Sequence, residues 1–114
     1  MLFAAIFAIT VGTGMILQWL ASYFQDQIPE LKTEPVRIGF HLAGEFATSL
    51  ALIISGAGLL IGSPWGDTLF LVASGMLLYT AIVSPGYFAQ QGQWIWVVIF
   101  ASLITISIIT ILII

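Results

Sequence analysis

The sequence predicts an all-α integral membrane protein, with four transmembrane helices in an up-down antiparallel bundle forming one domain over residues 1–114. Three observations carry this expectation. Hydrophobic residues make up 61% of the chain and charged residues only 6%, where a soluble domain has about a quarter charged. Mean hydropathy is +1.16. The apolar residues also come in long blocks separated by short polar links. So few polar residues cannot cover even a small globule, which makes lipid the expected solvent.

A hydrocarbon core of about 30 Å requires roughly 20 apolar residues in a helix. The first qualifying segment spans about residues 2–24, with no charge before Asp26. It has no basic start and no small-x-small cleavage pattern, and its apolar stretch is longer than that of a secretory signal. It is therefore expected to remain as a span. The second segment spans about 36–61. The third, about 67–83, is expected to stop at Ser84-Pro85-Gly86, a turn signal. At its start, Ser63 suits an N-cap with Pro64 at the first helical position. The fourth spans about 93–114 and ends in β-branched residues, Ile104 to Ile109. In water these would favour a strand. In lipid a lone strand leaves its backbone unpaired, so helix is expected. Short links between consecutive segments make them antiparallel neighbours.

Net charge is −3, from two basic and five acidic residues. Two basic residues cannot track a phosphate backbone, so no nucleic-acid partner is expected. There are no cysteines, which removes disulfides, thiolate metal sites and cysteine nucleophiles. Lys32 and Arg37 both flank the first link, and no other link carries a basic residue. The positive-inside rule then puts links 1 and 3 in the cytoplasm. Trp19, Tyr23, Tyr87, Trp94 and Trp96 fall towards that surface and Trp65 towards the other, as interfacial aromatics do.

The second segment carries the candidate chemistry. At 100° per residue, His41, Glu45, Thr48 and Ser55 share one stripe, with Gly44 beside it. Ala43, Ala47, Ala51 and Ser55 form an adjacent ladder of small residues, the kind that lets helices approach closely, and Gly58 and Gly62 form a GxxxG expected to pack internally. The first segment has a matching ladder of Ala4, Ala8 and Gly12. With Arg37 at the interface, His41 lies about 6 Å and Glu45 about 12 Å below it by helical rise. Gln18 falls at about 10 Å and Tyr79 at about 8 Å in the same leaflet. Gln18, His41, Glu45 and Tyr79 are therefore expected to form one polar cluster. Such a cluster either locks helices together or binds a proton or cationic ligand at Glu45.

The ligand set falls short of a metal centre, which needs three or four donors. A haem would need a second axial ligand beside His41, and Met15 and Met76 are ordinary apolar filler. No HExxH, GxSxG, P-loop or serine-histidine-acid set is present. The expectation is a non-enzymatic protein without cofactor or metal. Its expected partners are the lipid bilayer and either other membrane subunits or further copies of itself. A proton-linked transporter or channel element using Glu45, and a lipid- or quinone-binding protein, are the alternatives. In size and plan the chain resembles the small multidrug-resistance transporters. It departs from them at the first helix, which carries no acid where that family has its essential glutamate.

Overall fold

The computed structural model describes residues 2–25, 30–90 and 92–114, apart from the side chains of Glu30 and Tyr87. Asp26, the first charge after the first apolar segment, and Gln91, ahead of the fourth, lie outside the described residues. The helices are α1 (Leu2–Phe24), α2 (Glu30–Thr33), α3 (Pro35–Leu60), α4 (Gly66–Gln90) and α5 (Trp94–Ile113). No strand occurs among the described residues. The four helices other than α2 are long and apolar enough to cross a membrane. The long dimension of the molecule, 44 Å, exceeds the roughly 30 Å of a hydrocarbon core.

The long helices pack in chain order: α1 on α3, α3 on α4, α4 on α5. Gly12 and Gly56 mark a close approach of α1 to α3. A Cβ on Gly12 would stand 2.7 Å from the Ser49 carbonyl oxygen, and one on Gly56 would stand 3.0 Å from that of Ala5. Numbers rise on one helix as they fall on the other, so this pair is antiparallel. The same follows for α3 and α4, where a Cβ on Gly66 would come within 2.9 Å of the Gly58 carbonyl carbon. Near the opposite ends of these two helices, Glu45 meets Thr80. Phe88 stacks on Trp96 and Phe100, with centroids 5.1 and 6.0 Å apart, and closes the α4–α5 hairpin.

The core runs between these helices and holds Ala4, Ala5, Ala8, Leu52, Phe70, Ala73 and Leu77, with Leu103 of α5 packed against it. The most apolar window of α3 is 44% buried and that of α5 only 11%. Helix α3 is thus the central one and α5 the barest.

Two helix ends differ from expectation. The third long helix does not stop at Ser84-Pro85-Gly86. It passes through Pro85 to Gln90. Proline removes one N–H and so deprives only the Ala81 carbonyl of its helical donor. Ending the helix there would free four carbonyls. The stop comes instead at Gly92, whose φ of +75° suits glycine. There the Gly92 N–H donates to the Ala89 oxygen at 3.0 Å and the Gln93 N–H to the Phe88 oxygen at 2.9 Å, a Schellman closure. Helix α3 ends the same way at Gly62, φ +72°, with the Ser63 N–H donating to the Gly58 oxygen at 2.9 Å. Ser63 therefore closes α3, and α4 begins at Gly66, not at Pro64. Proline does stand at the start of α3, where Pro35 occupies the first turn without a missing bond.

Candidate functional site

Where α1, α3 and α4 meet, α3 turns Glu45, Thr48, Ser49, Leu52, Ser55, Gly56 and Leu59 inward. These residues recur at three- and four-residue spacing, one face of the helix. The face includes Ser55, Thr48 and Glu45 from the polar stripe. The alanine ladder lies off it: Ala43 and Ala47 are exposed and Ala51 only half-buried. The close approach to α1 uses Ser49 and Gly56 in their place, against Gly12, Ile9 and Ala5. The α1 ladder is buried throughout at Ala4, Ala8 and Gly12.

Gly58 is buried, but its space is taken within the chain. A Cβ there would stand 2.5 Å from the Trp65 ring. Gly62 meets nothing within 4 Å and serves the turn rather than packing.

Glu45 is 6% exposed and is the only buried charged residue among the described ones. Three helices supply its neighbours. From α1, the Trp19 Nε1–H donates to Oε2 at 3.3 Å. From α4, the Thr80 hydroxyl donates to Oε1. From one turn earlier on α3, His41 Nε2 lies 3.7 Å from Oε1. The His41 side chain is 38% exposed and its ring stands edge-on to Trp19 at 5.6 Å. Thr80 Oγ1 is 3.1 Å from Ser84 Oγ. The result is a continuous polar path from half-exposed His41 through Glu45 and Thr80 to Ser84.

His41 and Glu45 thus come together, whereas Gln18 and Tyr79 do not join them. Gln18 Nε2 donates to Ser22 Oγ at 3.3 Å, on its own helix. Tyr79 is 70% exposed and points away. In each case the adjacent residue takes the place, Trp19 for Gln18 and Thr80 for Tyr79. Depth along a helix follows from counting residues, but one residue of offset turns a side chain by about 100°. The signal for Trp19 and Thr80 was present in their donors, since an indole N–H and a hydroxyl both suit a carboxylate.

The arrangement can do two things chemically. It satisfies a desolvated carboxylate with donors from two neighbouring helices, and it leaves that carboxylate one side chain away from the surface through His41. On α3 no further titratable side chain lies between Glu45 and the turn at residues 61–65, and on α4 none lies between Asp67 and Tyr79.

The fold and site define a helical protein with four membrane-length apolar helices and a carboxylate clasped where three of them meet. Over residues 1–114 the chain matches the family described as Domain of unknown function (DUF8058), and it belongs to that family. Neither the curated proteins nor the solved structures include a match to it.

Proposed function

We propose that this is a multi-pass membrane protein without enzymatic activity, an up-down four-helix bundle that works as an accessory subunit or by self-association. The observation that carries this reading is α5. It is the most apolar of the four long helices, yet only 11% of its apolar stretch is buried. It packs chiefly on α4, and Val98, Ala101, Ser102, Thr105 and Ile106 lie exposed along its outer face. Small and hydroxylated residues on such a face suit helix-to-helix contact in lipid. Glu45 then serves assembly of the chain itself, fixing α1 and α4 on α3. The basic residues Lys32 and Arg37 support a cytoplasmic position for the links at residues 25–34 and 91–93.

A photo-crosslinker placed at Ala101 tests this in native membranes. The expected product is a discrete protein adduct, with a partner subunit or a second copy. Adducts to lipid alone at Ala101 would reject the assembly role.

A second reading, proton-linked transport through Glu45, is favoured by the half-exposed His41 beside the buried carboxylate. It requires access from both membrane faces, and no titratable side chain continues the path towards the 61–65 end along α3 beyond Glu45 or along α4 between Tyr79 and Asp67. Proteoliposomes with a trapped pH dye decide it: proton movement by the wild type that Glu45→Gln abolishes would replace the accessory reading.

A further inference from the structure

No permanently charged cationic side chain is placed on Glu45. The groups facing it are Trp19 from α1, Thr80 with Ser84 behind it from α4, and His41 from α3. None is a lysine or arginine. Arg37 is exposed and paired with Glu34 at 3.4 Å, and Lys32 is exposed on α2. A buried carboxylate is normally retained by pairing or by coordinating a cation.

Oxygen atoms gather on its α4 side. Glu45 Oε1 and Thr80 Oγ1 are hydrogen-bonded, and Thr80 Oγ1 and Ser84 Oγ lie 3.1 Å apart. That spacing fits two ligands on one coordination shell, since oxygens held at about 2.3–2.6 Å by a cation of calcium's size, close to that of sodium, come this near one another. The next residue, Ala81, is 1% exposed, and Pro85 leaves its carbonyl without the usual helical donor. Carboxylate and neutral oxygen donors select hard ions over soft transition metals. One carboxylate among otherwise neutral oxygens balances a single positive charge, whereas a divalent ion would leave a net charge in an apolar interior.

We propose that Glu45, Thr80 and Ser84 form a binding site for a small monovalent metal cation, of the sodium or potassium class, entering past His41. Binding turns the Thr80 hydroxyl so that its lone pairs face the ion. Its proton then has the carbonyl one turn back, at Met76, as acceptor. This site goes beyond the accessory role and does not depend on it, since it is read on the isolated protein.

The test is thermal unfolding of the purified protein in detergent, in sodium, potassium or choline chloride at equal ionic strength and fixed pH. The expected result is a saturable rise in midpoint with sodium or potassium over choline. Ser84→Ala, at the half-buried edge of the site, should weaken the apparent affinity several-fold while preserving the fold. Thr80→Val should weaken it tenfold or more, and Tyr79→Phe should leave it unchanged. Glu45→Gln should abolish the rise. Equal midpoints in all three salts for the wild type would overturn the proposal. So would a rise that survives both Ser84→Ala and Thr80→Val, or one that survives Glu45→Gln. A failed crosslink at Ala101 would remove the assembly role and leave this result standing.

Discussion

At Glu45, desolvation is set against hydrogen bonding. A carboxylate in the centre of a membrane helix costs about 2.5–3.5 kcal/mol on insertion scales. A hydrogen bond to a charged group returns about 1.5–3 kcal/mol, and Glu45 accepts one from Trp19 and one from Thr80. Two such bonds offset the burial, and losing either should expose the penalty. Thr80→Val keeps the shape of the side chain and removes the donor, so it should destabilise by about 1–3 kcal/mol, the cost of an unsatisfied buried acceptor. Tyr79→Phe removes a hydroxyl from a side chain that is 70% exposed and should stay within about 0.5 kcal/mol. Unfolding in detergent ranks the two, and a larger effect from Tyr79→Phe would mean that α4 is rotated from the position described. The exposed Arg37–Glu34 pair belongs to another class, because screened surface ion pairs contribute little to stability.

The helices are joined by close backbone approach rather than by large side chains. On α1, Gly12 and Gly14 are two residues apart and face opposite surroundings. A Cβ on Gly12 meets the Ser49 carbonyl at 2.7 Å, and one on Gly14 meets nothing within 4 Å. Backbone cannot step aside as a side-chain tip can, so Gly12→Ala should push α1 off α3 at a cost of about 1–3 kcal/mol. Gly14→Ala should be neutral or gain up to about 1 kcal/mol from reduced chain entropy. Equal effects in the same unfolding assay would refute the α1–α3 seam. Helix α4 shows how an element's end is decided. Proline at 85 costs one bond, whereas the glycine at 92 supplies the left-handed residue that a Schellman closure needs.

At the scale of the whole molecule, packing is sequential, and the burden of holding it falls on α3. Contacts that run in opposite chain order put the start of α3 and the end of α4 at one end and the 61–65 turn at the other. In a membrane-spanning bundle those ends lie on opposite faces. The chain has no native cysteine, so single cysteines report cleanly. Thr33→Cys and Gln93→Cys should label from one side of sealed vesicles and Asp67→Cys from the other. Labelling of Asp67→Cys and Thr33→Cys from the same side would rule out the up-down arrangement.

Much of the fold was legible along the sequence. The apolar blocks delimit the four long helices, and α1 matches at both ends, because the length and hydropathy of a segment are local properties. Glu45 and His41 were legible as well, since an ionisable residue within such a block stands out against its neighbours and i,i+4 spacing on a helix puts the pair on one face. What the tertiary structure alone decided was rotation about each helix axis and therefore partnership. The seam of α3 uses Ser49 and Gly56 rather than the alanine ladder, and the carboxylate meets Trp19 and Thr80 rather than Gln18 and Tyr79. In a chain that is apolar nearly all round, hydropathy hardly distinguishes a face turned to lipid from one turned to protein. Shape and hydrogen bonding at the contact choose between them, and neither exists until two helices meet.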